Sequence, residues 1–375
     1  MGLTGRPQEK LRDAYGREVR SLRFSLTRRC NLNCIYCHNE GEARRERVGG
    51  KEWVGGKEWV GGKEWVGGKE WVGGKERGER GERGERGEIS AELVVAVARV
   101  ASLWFGVRRV KITGGEPLLR NDLTEIVQGI REHEDEISLT TNGTLLSGRA
   151  ADLADAGLDR VNVSLDSLKE ERYDFVTSSS GNLPKVVEGV WSAIDAGLTP
   201  VKLNTVLLQG INEDEVADLI NFVRACNKRG GGGVAILQLI ELMPYFSLNA
   251  QMQNYKTDFS AVEAELKSRA TAVKTRRLQR RKKYFVGGAE GVEGVEVEVV
   301  HPIDNTEFCA NCSRLRVTSD GKIKPCLLRD DNLVPLEGAG VDEVRAGVDE
   351  VSEEEIAEKL RLAVRCREPF FCKNE

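Results

Sequence analysis

Short apolar runs alternate with amphipathic segments along most of the chain. The runs with the pattern of buried strands are Leu22–Thr27, Arg109–Thr113, Ile137–Thr141, Arg160–Leu165, Val201–Leu208 and Val234–Leu242. The segments with helical periodicity between them include Asp122–Arg131, Arg149–Ala156, Lys185–Ala196 and Glu213–Ala225. A further helical segment lies between Ser90, a residue type that favours helix N-caps, and Gly106, a type that favours helix ends. Strands that alternate with helices in this way predict a parallel sheet with helical crossovers.

The alternation fits either an open doubly wound sheet or a barrel. Polar motifs follow successive strands, and barrel active sites form at the carboxyl ends of the strands, so the barrel is favoured. The sequence therefore predicts an α/β fold, a partial (βα)6 TIM-like barrel over residues 1–245 with a smaller C-terminal domain over residues 246–375. The basic segment Lys274–Lys283 in that domain is interpreted as a solvated helical face rather than a phosphate or nucleic-acid contact.

Residues 47–88 form a low-complexity repeat inside the predicted barrel. Its six-residue unit, VGGKEW, decays into a three-residue unit near residue 77. Gly-Gly pairs without sustained apolar periodicity are typical of flexible segments that bury no core. We expect a mobile loop insertion here.

Composition excludes several classes of protein. The chain has 375 residues with 56 Lys and Arg against 60 Asp and Glu, and its net charge of −4 argues against a nucleic-acid-coating protein. No uncharged apolar run approaches the length of about 18 residues that a membrane span needs, and the amino terminus is polar. Nine Cys without an export signal indicate a reducing compartment, so we expect a cytoplasmic protein whose thiols serve metals or catalysis.

Cys30, Cys34 and Cys37 directly follow the first predicted strand with the spacing C-x3-C-x2-C. Three thiolates suit a [4Fe–4S] cluster in which one iron keeps an open position. Zinc sites more often combine paired C-x2-C units and use four ligands. The alternative is that the three thiols are incidental.

Three further motifs follow successive predicted strands: KITGGEPLLR from Lys111, SLTTNG from Ser138 and VNVSLDS from Val161. In this order and together with the Cys triplet, they resemble the radical S-adenosylmethionine superfamily. The resemblance implies that the open iron chelates the methionine part of S-adenosylmethionine. It also implies close backbone approach at Gly114 and Gly115, which lack a Cβ.

A second triplet, Cys309, Cys312 and Cys326, has the spacing C-x2-C-x13-C. Three thiolates again leave an open iron, which is suited to binding a substrate directly. The alternative is a structural zinc site, which requires a fourth ligand such as His301 or Cys366.

The segment FCANCSRLRVTSDGKIKPCLL, from Phe308, carries Arg-x-Arg just behind the second Cys of this triplet. It resembles the GTP 3′,8-cyclase family of molybdenum cofactor biosynthesis, and together with CHNEG after the first triplet it looks closest to the archaeal branch. The resemblance covers residues 16–46 and 89–330 and implies two [4Fe–4S] clusters. It assigns the six Cys of both triplets as metal ligands, Tyr36, Gly115 and Ser164 as S-adenosylmethionine contacts, and Arg23, Lys111, Thr140, Lys202, Arg314 and Arg316 as substrate contacts.

The assigned cations are consistent with a triphosphate substrate. Arg grips phosphate bidentately, and Lys acts on it as a point charge. Lys111 and Lys202 interrupt otherwise apolar predicted strands, where solvated charge is uncommon.

The resemblance implies a lyase that cyclises GTP to (8S)-3′,8-cyclo-7,8-dihydroguanosine 5′-triphosphate, the first step of molybdenum cofactor biosynthesis. A 5′-deoxyadenosyl radical would remove hydrogen from ribose carbon 3′, and the carbon radical would add to guanine carbon 8. The implied partners are a one-electron donor, a second copy in a homodimer, and the cyclic pyranopterin monophosphate synthase that consumes the product.

Two other readings stay open. A radical enzyme acting on peptide or RNA is one, although peptide-modifying relatives usually carry more Cys in this region than the five beyond residue 300, and RNA modifiers should be more basic. The second alternative is a catalytically disabled iron–sulfur protein. The presence of Lys111, Gly115, Arg314 and Arg316 argues against it.

A few residues depart from the family pattern or stand outside it. Arg28 occupies a position where bacterial members usually carry Asp. Met243 is as consistent with a core residue as with a cofactor contact. The remaining thiols, Cys226, Cys366 and Cys372, lack ligand spacing and are expected to be incidental.

Overall fold

The computed structural model describes residues 9–42, 87–243, 250–276, 278–287, 294–303, 305–336 and 351–370. The predicted insertion at 47–88 lies outside these residues, apart from Gly87 and Glu88. The strands are β1 (Ser21–Ser25), β2 (Arg109–Thr113), β3 (Glu136–Thr141), β4 (Arg160–Ser164), β5 (Val201–Leu207), β6 (Ala235–Glu241), β7 (Ala270–Thr275), β8 (Lys282–Val286), β9 (Val295–Val300), β10 (Arg314–Val317), β11 (Lys322–Lys324) and β12 (Val334–Pro335). The α-helices are α1 (Ala91–Phe105), α2 (Leu123–Arg131), α3 (Ala150–Asp155), α4 (Glu170–Thr177), α5 (Leu183–Asp195), α6 (Val216–Gly230), α7 (Phe259–Arg269), α8 (Thr306–Ala310) and α9 (Glu353–Arg365).

The strands β1 to β6 form the partial barrel. They pair in chain order, and every pairing is parallel. Their apolar side chains, such as Phe24, Ile112 and Leu203, are fully buried in one core with apolar faces of the surrounding helices. Each predicted strand overlaps an observed one, so the predicted α/β partial barrel is confirmed.

Helix α1 has the capping residues that allowed it to be predicted from the sequence. The Ser90 hydroxyl accepts a hydrogen bond from the Leu93 amide at 3.2 Å and caps the helix. Gly106 ends it with a φ of 66°, a conformation that glycine adopts without steric cost. The predicted helices corresponding to α2, α3, α5 and α6 are also present. Helix α4, whose surface is largely polar, was not predicted from the pattern.

The C-terminal residues extend the barrel sheet at both edges. Strand β9 pairs in parallel with β6, and β10 pairs in parallel with β1. Strands β7 and β8 continue antiparallel from β9, while β11 and β12 continue antiparallel from β10. The appended segment therefore brings its own residues beside both ends of the barrel. The division at residue 245 stays a prediction.

The helical interpretation of the basic segment Lys274–Lys283 is wrong. The segment spans the end of β7, a single 3-10 turn at Leu278–Arg280 and the start of β8. Lys and Arg favour helices in isolation, but pairing of β8 with β9 and of β7 with β8 overrides that preference. Most of β7 is exposed, whereas Arg281 is buried.

No helix in the described ranges combines the length and the apolar character that a membrane span requires.

Candidate active site

A cavity of about 320 Å³ opens at the carboxyl ends of the barrel strands. All six Cys of the two triplets line it. The first triplet reaches the cavity from the loop after β1, and the second reaches it from α8 and from the end of β11. Two triplets far apart in the sequence therefore face one space.

The first Cys loop is held by backbone hydrogen bonds to the end of α4. The Asn33 amide donates to the Thr177 carbonyl at 3.0 Å, and the Ile35 amide donates to the Val176 carbonyl at 2.9 Å. Within the loop, the Asn39 amide donates to the Cys37 sulfur at 3.3 Å. An N–H donor on sulfur is a contact that stabilises a thiolate, the form that ligates iron.

The GGEP segment packs directly against that loop. The Gly115 amide donates to the Thr27 carbonyl, and the Glu116 amide donates to the Arg29 carbonyl, both at 2.7 Å. A Cβ on Gly115 would lie 2.1 Å from the Arg29 oxygen, which no side chain tolerates. Gly115 is therefore required for the approach of two backbones, in addition to the cofactor contact that the resemblance implies.

Glu116 connects GGEP to the TTNG motif. Its buried carboxylate accepts from the Thr141 hydroxyl and from the Asn142 amide, each at 2.7 Å. Burial raises the pKa of Glu116 to about 7 in spite of these donors. The motifs at the ends of β2 and β3 are thus joined into one rigid wall.

The three predicted S-adenosylmethionine contacts, Tyr36, Gly115 and Ser164, all line the cavity. The Tyr36 hydroxyl donates to Asp166 at 2.6 Å, and the other carboxylate oxygen of Asp166 accepts from the Val206 amide at 2.9 Å. Burial raises the pKa of Asp166 to about 6. Asp166 was not assigned from the sequence, although it stands within the VNVSLDS motif.

Two buried guanidinium groups hold the second Cys segment. Arg17 donates to the Cys309 carbonyl at 3.2 Å, and Arg367 donates to the Cys312 carbonyl at 2.8 Å. Asp13 binds both guanidiniums, at 2.7 Å and 3.3 Å. These residues were missed in the sequence because nothing local marks a contact across such a separation.

Three cations form a row across adjacent strands, which we call the cation row: Arg316 on β10, Arg23 on β1 and Lys111 on β2. They are direct register partners, and all three line the cavity. Burial, followed by the charges of Arg23 and Arg314, holds the pKa of Lys111 well below its usual range. Neighbouring like charges are destabilising, so the row indicates a site for an anion.

Glu40 is the carboxylate that faces this row. It binds Arg23 at 3.1 Å and accepts from the Thr113 hydroxyl at 3.1 Å. Burial raises its pKa, but the positive charges led by Arg23 outweigh burial and hold it at about 2. The buried Nε atoms of Arg23 and Arg316 have no hydrogen-bond partner within the described part of the chain, so both are free to donate to a ligand.

Of the other predicted substrate contacts, the structure places two at the cavity and one away from it. Thr140 and Arg314 line the cavity. Lys202 is not among the described residues that line it, and its ammonium binds the buried Glu298 instead. Met243 lines the cavity, whereas Cys226 is buried in α6 with a pKa that burial raises to about 12.

The residues present fit two iron–sulfur clusters better than zinc. The described Cys of both triplets are free thiols. In the described ranges, no three His, Cys, Asp or Glu side chains are close enough to hold a single metal ion, whereas a four-iron cluster needs more widely spaced thiolates. The fourth ligands proposed for zinc are not in place. His301 binds Glu241 and Glu263, and neither His301 nor Cys366 is among the described cavity residues.

Family models match nearly the whole described chain. A model of the radical SAM superfamily matches residues 24–223, and the model named Molybdenum Cofactor Synthesis C matches residues 235–370. Radical SAM proteins use S-adenosylmethionine with a [4Fe–4S] cluster, so the class of cofactor expected from the motifs is confirmed.

Curated relatives define the family more closely. Proteins named "Probable GTP 3′,8-cyclase" are similar to this chain: that of Methanocella arvoryzae is 43% identical over 96% of this chain and 94% of that protein. Those of Methanosarcina mazei, 45% identical over 97% of this chain and 91% of that protein, and Archaeoglobus fulgidus, 41% identical over 96% and 99%, are comparably similar. The chain belongs to the GTP 3′,8-cyclase family of the radical SAM superfamily, as the sequence motifs predicted.

A solved structure supports the fold. Streptococcus suis SuiB bound to the precursor peptide SuiA matches with a TM-score of 0.53 and 14% identity, over 84% of this chain and 61% of that chain. This chain thus spans about three fifths of the length of that structure. At this identity the likeness concerns the fold alone.

Proposed function

We propose that the protein cyclises GTP to (8S)-3′,8-cyclo-7,8-dihydroguanosine 5′-triphosphate. The observation that carries this proposal is the single cavity lined by both Cys triplets and by the cation row. Glu40 supplies one negative charge to the three cations of the row, and a nucleotide triphosphate supplies the remainder. The curated relatives named for this reaction support the choice of nucleotide.

In this proposal Cys30, Cys34 and Cys37 hold one [4Fe–4S] cluster, with Tyr36, Gly115 and Ser164 beside the S-adenosylmethionine bound to it. When bound and reduced, the cluster supplies the chemistry that yields methionine and a 5′-deoxyadenosyl radical. Cys309, Cys312 and Cys326 would hold a second cluster, whose open iron would supply a binding site for the guanine base. The walls of the cavity keep water away from the reacting carbons.

The substrate-binding roles are divided among residues of different strands. Arg23, Lys111 and Arg316 bind phosphate oxygens, and Arg314 and Thr140 bind elsewhere along the nucleotide. Lys202 binds Glu298 and has no direct phosphate contact in this proposal. Orientation by several fixed groups places ribose carbon 3′ and guanine carbon 8 for reaction.

We further propose, from the family resemblance, a cytoplasmic homodimer that receives single electrons from a reducing partner. The product would pass to a cyclic pyranopterin monophosphate synthase.

The test is anaerobic reconstitution with iron and sulfide, followed by iron counting and an assay of 5′-deoxyadenosine with and without GTP. We expect about eight irons per chain, as two clusters require, and GTP-dependent 5′-deoxyadenosine with a cyclised nucleotide. Cys326→Ser should lose about four irons and the cyclised product, whereas Cys366→Ser, a thiol off the cavity, should lose neither. If S-adenosylmethionine is cleaved at the same rate with and without GTP, GTP is not the substrate. If no S-adenosylmethionine is cleaved, the alternative of a catalytically disabled protein is favoured.

A further inference from the structure

Arg281 is a buried cavity residue that neither the motifs nor the proposed site uses. It is 9% exposed and stands between the 3-10 turn at Leu278–Arg280 and β8. One guanidinium nitrogen donates to Gln238 at 3.1 Å and to Glu298 at 3.2 Å, and the other donates to Gln279 at 2.5 Å. Its Nε has no hydrogen-bond partner among the residues that the structure describes.

The charges around Arg281 do not balance. Glu298 is 0% exposed and is the carboxylate shared by Lys202, Arg281 at 3.2 Å and Arg276 at 3.5 Å. One buried negative charge thus faces three positive ones. Burial, reinforced by the charges of Arg281 and Arg276 and opposed by Glu298, lowers the pKa of Lys202 to about 8, so the excess positive charge is costly in the ligand-free protein.

The position of this cluster continues the cation row around the cavity. Arg281 lines the same cavity as Arg23 and Arg314, and the charges of Arg281 and Arg23 are the main electrostatic influences on Arg314. Gln238 on β6, which is the register partner of Glu298 on β9, also lines this cavity. An anion bound between these walls meets guanidiniums from both sides.

We propose that Arg281 binds the polyphosphate of the nucleotide substrate, and that Glu298 is a positioning residue that aims Arg281 at it. The proposal rests on the proposed function for the identity of the nucleotide. It gives the basic segment Lys274–Lys283 a role at one residue, Arg281. The exposed members of the segment, such as Arg280 and Lys282, remain surface charges.

The experiment compares binding of GTP and of guanosine, which carries no phosphate, to anaerobically reconstituted protein. We expect Arg281→Gln to weaken GTP binding by about tenfold or more, as the loss of one charge-assisted hydrogen bond predicts, and to leave guanosine binding unchanged. The matched control is Arg280→Gln, whose side chain is 52% exposed and which should bind both ligands as the wild type does. Arg281→Lys keeps the positive charge but lacks the planar guanidinium that binds phosphate bidentately, so it should weaken GTP binding by less than Arg281→Gln does.

Other results overturn the proposal. Equal weakening of GTP and guanosine would mean that Arg281 supports the fold alone, and unchanged GTP binding would mean that it does not reach the phosphates. If Arg281→Gln does not fold, unchanged GTP affinity in Arg281→Lys and in Glu298→Gln overturns it as well. Wild-type protein that does not bind GTP would instead refute the proposed function.

Discussion

Lys111 is a buried cavity residue whose pKa depends on the charges around it. It lies in β2 as the register partner of Arg23, and burial together with Arg23 and Arg314 holds its pKa well below the usual range. A polyphosphate placed on the cation row brings the opposite charge. Its binding should therefore raise the pKa of Lys111 again.

The first prediction concerns this proton. Between the pKa of Lys111 in the free protein and its higher pKa in the complex, the complex holds more protons, so GTP binding should take up protons and weaken as pH rises through that interval. Calorimetry of GTP binding at a series of pH values, each in two buffers with different ionisation enthalpies, measures the uptake. Lys111→Gln should reduce it, with Lys202 supplying the remainder, and an uptake equal to that of the wild type would contradict this role.

Single residues differ in how well the sequence reveals them. The six Cys and Lys111 were predictable because their spacing, or a charge in an apolar strand, is visible locally. Arg17, Arg367, Arg281 and Glu298 were not, since each is defined by a partner distant in the sequence. Whether a surface-type residue such as Arg281 is buried depends on which strands pair, and its neighbours in the chain are exposed.

At the scale of elements, parallel strands buried on both faces were readable as apolar runs, and their overlap with the observed strands follows from that burial. The prediction failed at β7 and β8. Strand β7 is the edge strand and β8 lies next to it, and the stretch that joins them is rich in Lys and Arg, so the pair lacks the apolar alternation that marks a strand. Their strand conformation comes from pairing of β8 with β9 and of β7 with β8.

The loop that carries the first triplet and the loop that carries GGEP are predicted to form one unit. Gly115→Ala places a methyl group against the Arg29 carbonyl, so the loops must separate and the first cluster should no longer assemble. We expect the iron content to fall by about four per chain, with the second cluster retained. Gly148→Ala, at an exposed glycine whose Cβ would meet nothing within 4 Å, is the control and should keep its iron. Full iron content in Gly115→Ala would show that the loops are not coupled.

At the scale of the whole molecule, the chain closes its active site by joining distant segments at the edge of the barrel. Strand β10 lies beside β1, so Arg316, which follows the second Cys of the second triplet, stands next to Arg23. The loop after the first triplet is tied to the same region, because Lys324 donates to the Gly41 carbonyl at 2.7 Å and the Ser319 amide donates to Glu42 at 3.2 Å. The order of motifs predicted the barrel, but this closure was visible only in the structure.

The most direct test of the central claim uses GTP deuterated at ribose carbon 3′. Reconstituted protein is incubated anaerobically with this GTP, S-adenosylmethionine and dithionite, and the 5′-deoxyadenosine is analysed by mass spectrometry. We expect 5′-deoxyadenosine carrying one deuterium, formed together with a cyclised nucleotide. Unlabelled 5′-deoxyadenosine, formed at the same rate without GTP, would contradict it.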